Sequence, residues 1–140
     1  MKARKFASTR QKAHTCHGRS GASYRADKKQ AARATAFLRQ QDQVFLAKTV
    51  LLELEWALRS TYRFGRREIL SALRAVVSID NAEVEEVAAV SQALDWYEGG
   101  MDFADGLHIA SAGRLHKFAS FDAALRRTAL RLGAAEVISL

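Results

Sequence analysis

Proline is absent from the 140 residues, and cysteine occurs once, at Cys16. A single cysteine excludes an internal disulfide and fits a reducing, cytoplasmic setting. Without proline, the ends of elements must be read from glycines and polar residues. No apolar run approaches the roughly 20 residues needed to span a bilayer. The N-terminus is charged and has no apolar core followed by small residues, so a secretory signal is not expected. Acids are missing from one stretch altogether: residues 1–26 contain no Asp or Glu.

That last absence explains the net charge. The formal charge is +7. Residues 1–30 carry nine Lys/Arg against Asp27 alone, whereas residues 31–140 carry thirteen against fourteen acids. The basic excess therefore belongs to one segment, and a high isoelectric point does not by itself mean a basic surface on the folded body. With 49% hydrophobic residues the chain suits one globular domain. The expected division is a basic, poorly patterned arm over residues 1–27 and a folded domain over 28–140. The arm can bind RNA phosphates without sequence preference, or simply be a solvated tail. His14, Cys16 and His17 lack a second Cys/His pair at finger spacing, so they do not read as a zinc site.

The body alternates strand and helix patterns. Ala31, Ala34, Phe37 and Leu38 have helical spacing. Val44–Ala47 reads as a buried strand. Thr49 can cap a helix over about 50–61, and Gly65 separates it from another over 66–77. Glu83–Glu85 can pass through a short extended piece. Helices follow over 86–98, 103–115 and 123–132, with strands at 117–120 and 136–140. Lys5–Ser8 is a weak strand candidate. This order implies an α/β fold, with a mostly parallel sheet between helices and an uncertain first strand. Only three strands are clear, one or two fewer than such a sheet ordinarily has.

Parallel sheets bind ligands beyond the carboxyl ends of their strands. Asp122 follows the 117–120 strand by two residues. Glu53 lies on the first turns of the helix leaving the 44–47 strand. Asp102 and Asp105, three apart, share one face at a helix start. Carboxylates that converge repel one another unless a cation lies between them, and oxygen-only ligands suit Mg²⁺ or Mn²⁺. Such ions promote phosphodiester hydrolysis. Ordinary roles compete: Asp102 and Asp122 as helix N-caps, Asp105 as a first-turn acid facing the helix dipole. On a helical wheel Glu53 falls at the rim of the apolar face, beside Trp56 and Ala57. Glu55 pairs with Arg59 as an ordinary surface ion pair. His108, three residues after Asp105, is either a helix histidine or a group contacting RNA near the site. Trp56, Tyr62, Trp96 and Tyr97 are spaced as core or interface residues, with no interleaved aromatic–basic platform.

Three segments together resemble the PIN-domain family, and within it the VapC-type toxins. They are Thr49–Ser60 with Glu53, the Asp102-Phe103-Ala104-Asp105-Gly106-Leu107-His108-Ile109-Ala110 run, and Phe118–Asp122 with Ser120 where Thr is usual. The resemblance covers roughly residues 28–140. It implies a three-layer α/β/α fold. It also implies a Mg²⁺- or Mn²⁺-dependent endoribonuclease toxin, a homodimer restrained by a cognate antitoxin and acting on RNA. Glu53, Asp105 and Asp122 match ligand or water-activating carboxylates, and Asp102 matches a position often acidic in this branch. The family's first strand ends in an Asp that is a principal ligand; nothing here matches it. A frame disruption or wrong start is the favoured explanation, and a divergent arm using Lys5–Thr9 the other. A PIN-like protein that binds antitoxin or RNA without cleavage is the corresponding alternative function.

Overall fold

A computed structural model describes Arg33, residues 36–113, residues 117–134 and residues 136–140. The candidate strand at Lys5–Ser8, the proposed arm and most of the helix expected from Gln30 lie outside the described residues; residues 36–40 are helical. Every other element belongs to residues 38–140.

The order is β1 (Val44–Leu46), α1 (Lys48–Ser60), α2 (Arg66–Val77), β2 (Ala82–Val84), α3 (Val87–Glu98), α4 (Phe103–Ala112), β3 (Phe118–Ser120), α5 (Ala123–Arg131) and β4 (Val137–Ser139). Strand β2 is the extended piece suspected at Glu83–Glu85. All described pairings are parallel: Val44 faces Ala82 in β1–β2, and Phe118 faces Val137 in β3–β4. Among the described residues the strands form two pairs, β1–β2 and β3–β4. Among the described residues no strand joins β1 to β3, so the sheet centre is the part of the expected architecture that the described residues do not fill.

Helix ends follow local chemistry. Glu68 reaches back to accept from the Gly65 amide at 2.7 Å, which anchors the start of α2. Thr49 does not cap α1. The helix begins one residue before it, with Ala47 at the cap position and no side-chain cap bond. Instead the Lys48 amide is held by Glu85 Oε2 at 2.8 Å, and Lys48 Nζ pairs with Glu86 at 2.9 Å. That contact draws the Glu86 carboxyl below the usual range, and it fixes the start of α1 to the loop after β2.

The main core gathers one face from each of four helices. Leu51 of α1, Leu73 of α2, Ala93 of α3 and Phe103 of α4 are fully buried. A smaller cluster joins Met101 and Ile109 to Leu125, Ala129 and Val137. Residue 101 thus contacts one core while residue 103 sits in the other, and Asp102 lies between them. Helices α3 and α4 meet through a short turn in which Gly100 takes φ +104°, a conformation that favours glycine.

Leu73→Ala, which empties a fully buried position, is expected to cost about 2–5 kcal/mol of stability. Leu130→Ala, at an 83% exposed position, is expected to stay within about 0.5 kcal/mol. Urea denaturation of the two variants checks both.

Candidate active site

The acids at the helix starts are placed by backbone hydrogen bonds. Asp102 caps α4 by accepting from the Ala104 amide at 3.0 Å. Asp122 caps α5, its Oδ1 accepting from the Ala124 and Leu125 amides at 2.7 and 3.1 Å. The Asp122 amide in turn donates to Ser120 Oγ at 3.0 Å, so Ser120 fixes the turn that leaves β3. The capping roles read from sequence are real, and they leave chemistry over. One oxygen of each carboxylate carries the caps, and Oδ2 of each has no hydrogen bond among the described residues.

Asp105 lies one turn into α4, half-buried. Its carboxyl is pushed above the usual range, first by burial, then by the negative charges of Asp102 and Asp122, with His108 opposing. Asp102 and Asp122, from different parts of the chain, therefore both bear on Asp105. His108 is exposed on α4 and close enough to act on Asp105.

Glu53 is placed differently. It is exposed on α1 and makes no hydrogen bond or ion pair among the described residues, and it is not one of the charges bearing on Asp105. The apolar face of α1 is turned so that Leu51 and Glu55 point inward while Trp56 is 59% exposed. Glu55 is therefore no surface residue. It is 5% exposed and accepts from Arg59 Nε at 3.0 Å, with the Tyr97 hydroxyl at 3.5 Å. A buried carboxylate needs such partners. The helical wheel missed this because Leu51 and Glu55 are i, i+4 neighbours, and the core that accepts Leu51 accepts Glu55 with it. Burial and Glu55 together raise the Tyr97 hydroxyl above its ordinary range. The Glu55 hydrogen bond and charge raise Arg59, to which Asp102 adds.

A ring of contacts links this cluster to the acids. The Tyr97 ring meets the Phe103 ring edge-on at 5.9 Å, and the Arg66 guanidinium lies 4.2 Å above the Tyr97 centroid. Arg66 Nη1 also donates to the carbonyls of Tyr97 and Met101 at 2.6 and 2.7 Å. Asp102 follows Met101 directly, so Arg66 fixes the backbone that delivers it.

The PIN domain family model matches residues 22–131, well over half of the chain. The chain belongs to the PIN-domain family. Comparison with curated proteins and with solved structures gives no match. PIN membership accounts for the mixed helices and short parallel strands, which fit a three-layer α/β/α PIN-like fold. PIN domains are generally nucleases, and those usually depend on divalent metals. No described helix is long and apolar enough to cross a membrane.

The donor chemistry of Asp102, Asp105 and Asp122 suits a hard divalent cation, since the oxygens left over among the described residues are carboxylate. Its spacing is more open than a closed ligand set: among the described residues no three Asp, Glu, His or Cys side chains could hold one ion together.

Raising Asp105 above its unfolded value makes its ionisation cost stability. That cost is absent below the ordinary Asp range and grows as pH rises through the raised value. Asp105→Asn is therefore expected to increase Tm at neutral pH and to lose that advantage near pH 3. Thermal melts across pH check the sign.

Proposed function

We propose that the chain is a divalent-metal-dependent endoribonuclease toxin of a toxin–antitoxin system, of the VapC type, acting on RNA phosphodiesters in the cytoplasm. The observation that carries this reading is that Asp102 and Asp122, each set at a helix start by its capping bonds, both bear on the half-buried Asp105. Asp102 and Asp122 each keep an oxygen with no hydrogen bond among the described residues, and Asp105 is pushed toward its neutral form by burial and then by the other two charges. A cation at this place relieves the repulsion, and Mg²⁺ or Mn²⁺ supplies Lewis acidity and charge neutralisation for phosphoryl chemistry when bound. On the motif order its ligand candidates are Glu53, Asp102, Asp105 and Asp122, although among the described residues no three of them are close enough to share one ion. The chain's own contribution is to fix these carboxylates on helix starts, through Ser120 for Asp122 and through Arg66 for the backbone before Asp102. A cognate antitoxin, a homodimer and a division into an arm over residues 1–27 and a PIN-like domain over residues 28–140 belong to the same reading.

A second reading has its own support. Residues 1–26 supply no acid to the site, and the described acids do not close around a single ion. On that reading the protein binds RNA or an antitoxin without cleavage.

Asp122→Asn separates charge from fold. Asn caps helices as well as Asp, so α5 should stay intact. Purified protein is expected to cleave single-stranded RNA only with Mg²⁺ or Mn²⁺. The variant should lose at least about 100-fold in rate, the upper end for residues that merely support a ligand. No cleavage across a panel of RNAs, together with no Mn²⁺ binding by calorimetry, would favour the second reading.

A further inference from the structure

Residues 56–67, from the end of α1 to the start of α2, hold Trp56, Tyr62 and Phe64 interleaved with Arg59, Arg63, Arg66 and Arg67, and no acid. Sequence spacing suggested core or interface aromatics with no aromatic–basic platform, a reading that considered Trp56 and Tyr62 without Phe64 and the arginines between them. The structure leaves Trp56 59% exposed and Tyr62 and Phe64 39% exposed each. The Tyr62 and Phe64 rings lie 6.0 Å apart with planes tilted by 54°, so the pair forms a small two-ring surface. Around it the four arginines divide in two. Arg59 is held by Glu55, and Arg66 by the Tyr97 and Met101 carbonyls. Arg63 and Arg67 are exposed and have no hydrogen bond or ion pair among the described residues. The next acid, Glu68, is taken up by the Gly65 amide.

Backbone geometry makes Arg63 more informative. The Tyr62 amide donates to the Ala57 carbonyl at 3.2 Å, and the Phe64 amide to the Leu58 carbonyl at 3.0 Å. Between them Arg63 takes φ +57°, the left-handed conformation at a helix C-terminus that glycine ordinarily fills. A cation stands where glycine would fold more easily, and no partner within the described protein explains it. Strain of this kind, with a charge unpaired among the described residues beside two tilted exposed rings, motivates a ligand at this corner.

We propose that the α1–α2 corner is a binding surface for single-stranded RNA, with phosphates on Arg63 and Arg67 and bases stacked on Tyr62 and Phe64. This rests on the nuclease reading and names how its substrate is held. Charge complementarity selects a polyanion, and exposed rings beside arginines select one with bases. Arg66 belongs to the same corner and also donates to the carbonyl just before Asp102, so the corner is tied to the backbone that places the acids.

The test is fluorescence anisotropy of a labelled 12-nucleotide oligouridine with the full chain. It is done in the Asp122→Asn background and in chelator, so that binding is read without cleavage. The basic residues 1–30 are the same in every variant, so their contribution is a constant background against which each substitution is read. Arg63→Gly should leave Tm unchanged or raise it. It should weaken binding and lower the slope of log K against log salt by about 0.7, one single-strand phosphate contact. Arg67→Ala should do the same to binding. An abasic chain of equal phosphate number should bind at least about 5-fold more weakly than oligouridine. Unchanged affinity and salt slope in both variants, or equal binding of the abasic chain, would overturn the proposal. So would binding of a Glu-rich peptide with none of RNA, which would make the corner a protein-docking surface. RNA cleavage by the unsubstituted protein that survives Arg63→Gly and Arg67→Ala undiminished would sink the corner and spare the nuclease. Corner-dependent binding without cleavage would do the reverse.

Discussion

Two arginines from distant helices hold the turn between α3 and α4, and much of the site depends on that grip. Arg66 of α2 donates to the Tyr97 and Met101 carbonyls, and Arg131 of α5 donates to the Gly99 carbonyl at 2.8 Å. The end of a helix leaves carbonyls without amide partners, and cations are favoured there. Here they do more than complete α3. The turn ends at Asp102, so the same bonds that satisfy the carbonyls set where α4 begins. Met101 and Phe103, on either side of Asp102, are anchored in the two apolar clusters. The carboxylate is therefore located by hydrogen bonds and packing together, and Asp105 follows one turn later.

The same arrangement explains a buried carboxylate that has no part in the acidic site. Glu55 enters the core with Leu51 and is stabilised by Arg59 and Tyr97. Removing one partner of such a buried set usually costs more than the set contributes, because a charge is left without compensation. Tyr97 meets both sides, its hydroxyl at Glu55 and its ring against Phe103 and Arg66. It connects the interior of α1 to the backbone that presents Asp102.

Much of this was legible in the residues. The acids at 102, 105 and 122 announce themselves as polar starts of apolar helices, a local signal. The capping bonds and the shared field around Asp105 follow from it. Local signals also placed α2 at 66–77 and came within a few residues for the other described elements. Tertiary contacts decided the rest. Period alone put Glu53 on the apolar rim and Glu55 outside, whereas the core that accepted Leu51 turned α1 the other way. Arg63 in a left-handed conformation has no sequence signature, because glycine is what that position calls for. Among the described residues the two strand pairs are not joined. Strand pairing is non-local, so a gap in it cannot be seen from either flank.

The most direct measurement of the central claim is amide NMR of the full chain titrated with Mn²⁺, whose paramagnetism broadens nearby resonances. If Asp102, Asp105 and Asp122 form one cation site, broadening at low Mn²⁺ should centre on residues 102–105 and 120–124. It should be lost at both segments in Asp122→Asn. Broadening of one segment without the other, or of neither, would contradict the account.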